Sequence, residues 1–218
     1  MKKLIINLIK EIMLYFLLST ATFAMLLTIA QYLSFRHDIG FLLMKQGYIN
    51  NDVWRIAFYV HVFSSIFSLC AGFTQFSNSV LQVYKKLHKL VGKLYVYDIL
   101  LINFPAGMIM AIYANGEIQS KLAFIMLDYL WFWYTYKAVV YIRKGDVVNH
   151  KNYMIRSYAL TCSAITLRMW KIIFTHTLTI DPSLLYMIDA WMGFVPNLLF
   201  AEWLIRKKKL SSPKRNLR

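Results

Sequence analysis

Two cations, Arg168 and Lys171, stand in a largely apolar stretch, LTCSAITLRMWKIIF. A cation buried in the hydrocarbon of a bilayer costs roughly 2.5–3.5 kcal/mol on insertion scales unless something pairs with it. Asp128 and Asp189 lie in two other apolar stretches, and His61 lies in a third. From His61 a polar face runs through Ser64, Ser65, Ser68 and Gly72 to Gln75, at helical spacing. Lipid cannot satisfy such groups, so they must face protein or water. Buried carboxylates, cations and an imidazole can relay protons, pass an ion or hold a redox group. We therefore expect an outer-half polar cluster of His61, Gln75, Asp128, Arg168, Lys171 and Asp189, with Arg168 paired to Asp128 or Asp189.

A second set falls toward the opposite, cytoplasmic side: His88, Asp98, Lys137, His150 and Arg156, with Glu202 close by. Snorkelling to the interface suffices for Lys137 and Arg156. Asp98 is harder to explain in that way, because a short carboxylate cannot reach far. Ser157, Thr161, Ala164 and Arg168 share one helical face and would join the two sets.

The elements that must position these residues follow from composition. Of the 218 residues, 59% are hydrophobic and 16% charged, against about 45–50% and about 25% in soluble domains. The apolar excess falls in blocks of the ~20 residues needed to cross a bilayer as a helix. We read six spans, at about 12–35, 53–76, 92–114, 121–142, 153–175 and 183–205, in a single all-α membrane domain covering 1–218. The first apolar run continues past Ala24, beyond the length of a signal-peptide core, and reads as an uncleaved span. Turn chemistry at 50–52, 77–79, 115–116, 145–146 and 181–182 separates the spans. Pro105 and Pro196 fall inside spans and are expected to kink them.

The net charge of +15 would suggest nucleic acid in a soluble protein. Here the cations cluster in alternate loops: Lys2, Lys3 and Lys10; Lys85, Lys86, Lys89 and Lys93; Arg143, Lys144, Lys151 and Arg156; and a basic tail at 206–218. That is the positive-inside pattern, so nucleic-acid binding is not expected and both termini are read as cytoplasmic. The tail suits anionic lipid or an acidic partner, and more readily reads as a stop-transfer anchor. Cys70 and Cys162 sit inside apolar blocks without disulfide or zinc spacing. Residues 129–136 are dense in aromatics, which suits an interfacial belt or the wall of a cavity for a flat ligand. Phosphate loops, zinc-protease helices and nucleophile elbows are absent from the sequence, and whether the chain is an enzyme is left open.

The segment Lys86-Leu87-His88-Lys89-Leu90-Val91-Gly92-Lys93-Leu94-Tyr95 fits a His-basic-x-x-Gly-x-x-Tyr signature. Gly145-Asp146 followed by His150-Lys151-Asn152-Tyr153-Met154-Ile155-Arg156-Ser157-Tyr158-Ala159, with Arg168 beyond, fits a second. With His61 and Gln75, these resemble the bacterial membrane-protein family called domain of unknown function 2306. Lys89, Lys151 and Tyr153 depart from its more usual arginines and tryptophan. The resemblance covers spans two to five and implies a multi-pass protein of the bacterial cytoplasmic (inner) membrane, with the lipid bilayer as its partner. A looser similarity is to four-helix di-haem membrane cytochromes of the b type. It implies His88 and His150 as ligands of a haem b iron, in one site at most, because no second histidine matches the depth of His61.

Three functions are carried forward. The first is a membrane redox protein holding haem b or a quinone in spans two to five, anchored by Arg156 or Arg168. The second is a small proton-coupled transporter or channel. The third is a structural or assembly protein whose charges only lock helix register.

Overall fold

Turn residues cap the helices where the sequence breaks its apolar blocks. The computed structural model describes residues 2–211. Residues 212–218 of the basic tail, with Lys214, Arg215 and Arg218, lie outside the described residues, as do the side chains of Lys2, Lys3, Lys10 and Lys208. The described chain is helical, in the order α1 (Lys2–Ala30), α2 (Asp52–Gln75), α3 (Asn78–Val83), α4 (Lys85–Tyr97), α5 (Phe104–Ile112), α6 (Ile118–Arg143), α7 (Val147–Thr161), α8 (Ser163–Thr177), α9 (Pro182–Met192) and α10 (Val195–Ser211). Four of the helices carry a side-chain N-cap, which satisfies an amide that the first turn leaves open. Asn51 accepts from the Trp54 amide, Ser77 from Val80, Asp146 from Asn149, and Asp181 from Ser183 and Leu184.

Among the described residues, four stretches are long and apolar enough to cross a membrane: Tyr15–Ser34, Asp52–Gln75, Lys85–Ile112 and Pro182–Lys207. Helix α6 and the α7–α8 pair, expected as spans four and five, are not among them. Lys121, Asp128, Lys137 and Arg143 dilute the first, and Lys151, Arg156, Arg168 and Lys171 the second. The third apolar stretch begins at Lys85, seven residues before the expected 92.

Both prolines act differently from a simple kink. Ahead of Pro105 the helix widens into a π-helical segment, Asp98–Asn103, and the Phe104 amide reaches back to the Ile99 carbonyl. Proline has no N–H to offer, and a widened turn changes which carbonyl loses its donor. Ahead of Pro196 the helix stops at Met192 and restarts at Val195, so proline falls in the first turn of α10, where its missing N–H costs nothing. A further break, at Cys162 between α7 and α8, has no proline or glycine to announce it.

The chain divides into two compact units, Met1–Met110 and Ala111–Arg218. In the first, α2 packs against α1, α4 and the π-helical segment. Tyr15 on α1 stacks with Phe73 on α2 at 6.4 Å. Trp54 and Phe58 are buried and stacked at 5.6 Å, with the Tyr32 ring edge-on to Phe58. In the second unit, α6 and α7 form a hairpin that turns at Gly145, whose φ of +76° is readily reached only without a Cβ. Helix α9 packs on α6 and α8, and α10 on α7.

Candidate functional site

In the second unit, polar contacts climb along α7 and α8 as a series of rungs. At the lower end the His150 ring Nδ1 meets the Ala138 carbonyl of α6 at 2.9 Å. Next, Arg156 donates through Nε and Nη2 to both carboxylate oxygens of Glu202 on α10, at 2.5 and 3.0 Å. The rings of Tyr153 and Tyr134 lie 5.0 and 5.9 Å from the same guanidinium. Above this, the hydroxyls of Ser157 and Thr135 share a hydrogen bond of 2.7 Å. Trp131 Nε1 then donates to Thr161 Oγ1 at 3.1 Å. Thr166 donates to the Gly193 carbonyl at 2.5 Å, and Asn197 donates to Thr166 and to the Ala159 carbonyl. At the far end Lys171 lies within electrostatic range of Asp189.

These pairs fix the directions of the helices. Residue numbers rise on α7–α8 as they fall on α6 and on α9–α10, so α7–α8 runs antiparallel to both. Counting about 1.5 Å per residue, His150 to Lys171 spans roughly 31 Å, the thickness of a bilayer's hydrocarbon core. Ser157, Thr135 and Ser163 are buried along the column, and Ser120, Asp128 and Asp189 are buried at its upper half.

Asp128 Oδ2 and Asp189 Oδ1 are buried without a hydrogen-bond partner among the described residues, as is Ser120 Oγ. Asp128 is three residues before Trp131 and Ala164 three beyond Thr161, so both stand one turn above the Trp131–Thr161 bond. The Arg168 guanidinium folds back to that level and donates from Nη1 to the Ala164 carbonyl at 2.7 Å. Lys171 is a cation whose charge acts on Asp189.

Other expected residues lie elsewhere. Lys137 covers the Trp133 ring at 4.5 Å, and Tyr129, Trp133 and Tyr136 are exposed in a row along α6, the first two stacked and the last tilted. That row reads as an interfacial belt, not a cavity wall; from this stretch Trp131 turns inward.

The first unit holds a compact polar knot at the π-helical segment. Ser68 on α2 donates to Asp98 Oδ2 at 2.5 Å, and Ser64 to Asn103 Oδ1 at 3.2 Å. The Asn103 amide returns to the Asp98 carbonyl at 3.4 Å. Asp98, Asn103 and Ser68 are all buried. Serines four apart on α2 meet residues five apart on the π segment, which is one turn of each helix type. His61 is one turn before Ser64 on the same face of α2, half-buried. Gln75, expected beside His61, is fourteen residues further on, about 21 Å along the helix. Its amide donates instead to the His88 carbonyl at 3.1 Å. This bond passes where Gly92 lacks a side chain: a Cβ there would come within 2.9 Å of Gln75 Oε1.

Sequence reasoning missed Asn103, Thr135 and Asn197. For Asn103 a signal existed, since a polar amide five residues after Asp98 and two before Pro105 is out of place in a lipid-facing helix. No group of three or more His, Cys, Asp or Glu side chains able to hold a metal occurs among the described residues.

A profile of the predicted membrane protein family named domain of unknown function 2306 matches residues 58–205. The chain belongs to that family. The match takes in both polar sites and both histidine-bearing segments, from Phe58 through Ile205. As a member of domain of unknown function 2306, the chain is a membrane protein whose apolar helices contact the lipid bilayer. No curated protein and no solved structure matches it.

Proposed function

We propose that the chain is a membrane redox protein that binds haem b or a quinone at His150. The observation that carries this is the His150 Nδ1 contact with the Ala138 carbonyl. A carbonyl only accepts, so Nδ1 carries a proton, and in the neutral form of the ring the lone pair is on Nε2. Histidines that ligate metals are commonly oriented by such a bond. Haem b would supply one-electron chemistry, and His150 Nε2 would hold its iron. For a quinone, the same nitrogen would accept from a quinol hydroxyl. Tyr153, stacked with Tyr141 at 5.1 Å, would bound a flat ring. Arg156 has Nε and Nη2 committed to Glu202, which would hold it in place as a fixed positive charge. His88, in the first unit, is the other candidate ligand of the iron.

The test is a reduced-minus-oxidised visible spectrum of gently purified protein, with His150→Ala beside it. Haem bands present in the wild type and lost in the variant would support a haem site. A colourless preparation from haem-replete cells would remove haem, and failure of quinone analogues to raise its melting temperature would remove the quinone.

A second reading, proton-coupled transport, is favoured by the buried, partnerless oxygens of Asp128 and Asp189. A buried carboxyl without a donor takes up a proton or a cation. Asp128→Asn should then abolish pH-driven uptake in proteoliposomes while the protein still folds. Uptake unchanged in that variant would end this reading.

Either function sits on the same proposed topology: six membrane crossings in a bacterial inner membrane, with both termini in the cytoplasm. The ~31 Å reach of the α7–α8 column and the alternation of basic loops support it. A topology reporter at Asn115 should respond from the outside; a cytoplasmic response there would overturn the topology.

A further inference from the structure

Between α3 and the first turns of α4 lies a surface cleft of about 440 Å³, lined by Leu81, Gln82, Lys85, His88 and Lys89. Lys85, His88 and Lys89 stand at positions i, i+3 and i+4 of one helix, so their side chains share a face. No Asp or Glu occurs from residue 77 to residue 97, so this stretch offers no acid to neutralise them. Helix α4 starts at Lys85 without a side-chain cap, and its positive N-terminal pole adds to the field. Leu81 lines the cleft beside them, and Lys85 opens the stretch Lys85–Ile112, which is long and apolar enough to cross a membrane. The Gln75 bond to the His88 carbonyl ties this corner to α2, so the cleft is held by the fold. Clustered cations suit any phosphate, but a cleft at the end of a stretch able to cross a membrane meets phosphates that carry acyl chains.

We propose that this cleft binds the headgroup phosphate of an anionic phospholipid, held by Lys85 and Lys89 beside Leu81. The site rests on the two lysines and is independent of any redox role of the histidines. Lys86 and Lys93 are also exposed on α4 but do not line the cleft, which makes them the matched control.

The full chain is reconstituted in phosphatidylcholine nanodiscs doped with phosphatidylglycerol, released into mild detergent, and its retained lipids counted by native mass spectrometry. The wild type should retain phosphatidylglycerol in preference to phosphatidylcholine. Lys85→Ala/Lys89→Ala should lower that preference by about tenfold or more, since each cation near an anionic surface contributes on the order of 1 kcal/mol. Lys86→Ala/Lys93→Ala should leave it within about twofold, because these cations act only as screened surface charges. Lys85→Arg/Lys89→Arg should preserve retention, which separates loss of the site from misfolding. Equal loss in both alanine pairs would reduce the effect to diffuse charge and overturn the site, as would unchanged retention in Lys85→Ala/Lys89→Ala. Displacement of the lipid by millimolar inorganic phosphate, but not by chloride at equal ionic strength, would identify free phosphate as the occupant and overturn the lipid assignment.

Discussion

The Ser68 hydroxyl donates to Asp98 Oδ2 at 2.5 Å, joining the middle of α2 to the first residue of the π-helical segment. Both side chains are buried, so the bond stands where water cannot replace it. Removing one partner of a buried bond costs the desolvation of the group left behind.

Ser68→Ala is therefore expected to destabilise the protein by about 1–3 kcal/mol, read as a lowered midpoint in detergent unfolding. Asp98→Asn in the Ser68→Ala background should recover part of the loss, because the neutral amide is cheaper to bury than a carboxylate. A Ser68→Ala protein as stable as the wild type would show that the contact is dispensable.

Arg156 and Glu202 hold α7 to α10 through a two-pronged pair that only the planar guanidinium can make. The pair is partly exposed, at 18% and 36% of the side-chain surfaces, so its coupling is expected at about 1 kcal/mol, near the top of the range for solvent-accessible pairs. Arg156→Lys should forfeit most of it despite keeping the charge. A double-mutant cycle with Glu202→Gln measures the coupling, and a value near zero would leave the pair without energetic weight.

Gly92 leaves room for the Gln75 amide, whose oxygen would come within 2.9 Å of an added Cβ. Gly92→Ala should push that side chain off the His88 carbonyl and loosen the corner between α2 and α4. Faster amide exchange over residues 85–90 checks it. Gln75→Ala should reproduce the effect without the added methyl group, and unaltered exchange in both variants would refute it.

Asp146 caps α7, and its bonds to the Asn149 amide and side chain hold its carboxyl below the usual carboxylate range. A folded pKa lowered in this way stabilises above the unfolded value and is lost as pH falls through the folded one. Fraying of the first turn of α7, followed by amide exchange at Asn149, should thus increase only in acid. Asp146→Asn should keep the cap and remove the acid dependence. Acid-dependent fraying that persists in Asp146→Asn would assign it to another group.

Much of this could be read from residue order. Lengths of apolar runs and turn residues such as Asn51, Ser77, Asp146 and Asp181 placed the helices, since both are local signals: a run long enough to cross a bilayer, and a side chain that caps the next turn. Family membership was legible too, from the spacing around His88 and His150. The π-helical segment before Pro105, the break at Cys162 and the partners of the polar groups were not. Which side chain meets which depends on how each helix is rotated about its own axis, and that is settled by packing. So the Gln75 amide meets the His88 carbonyl, and the Arg168 guanidinium meets the Ala164 carbonyl one turn back. The sequence by itself determined an all-helical membrane protein with costly polar groups in its apolar helices. Only the tertiary structure decided that those groups gather into a column along α7–α8 and a knot around Asp98, because only packing gives each of them a depth and a neighbour.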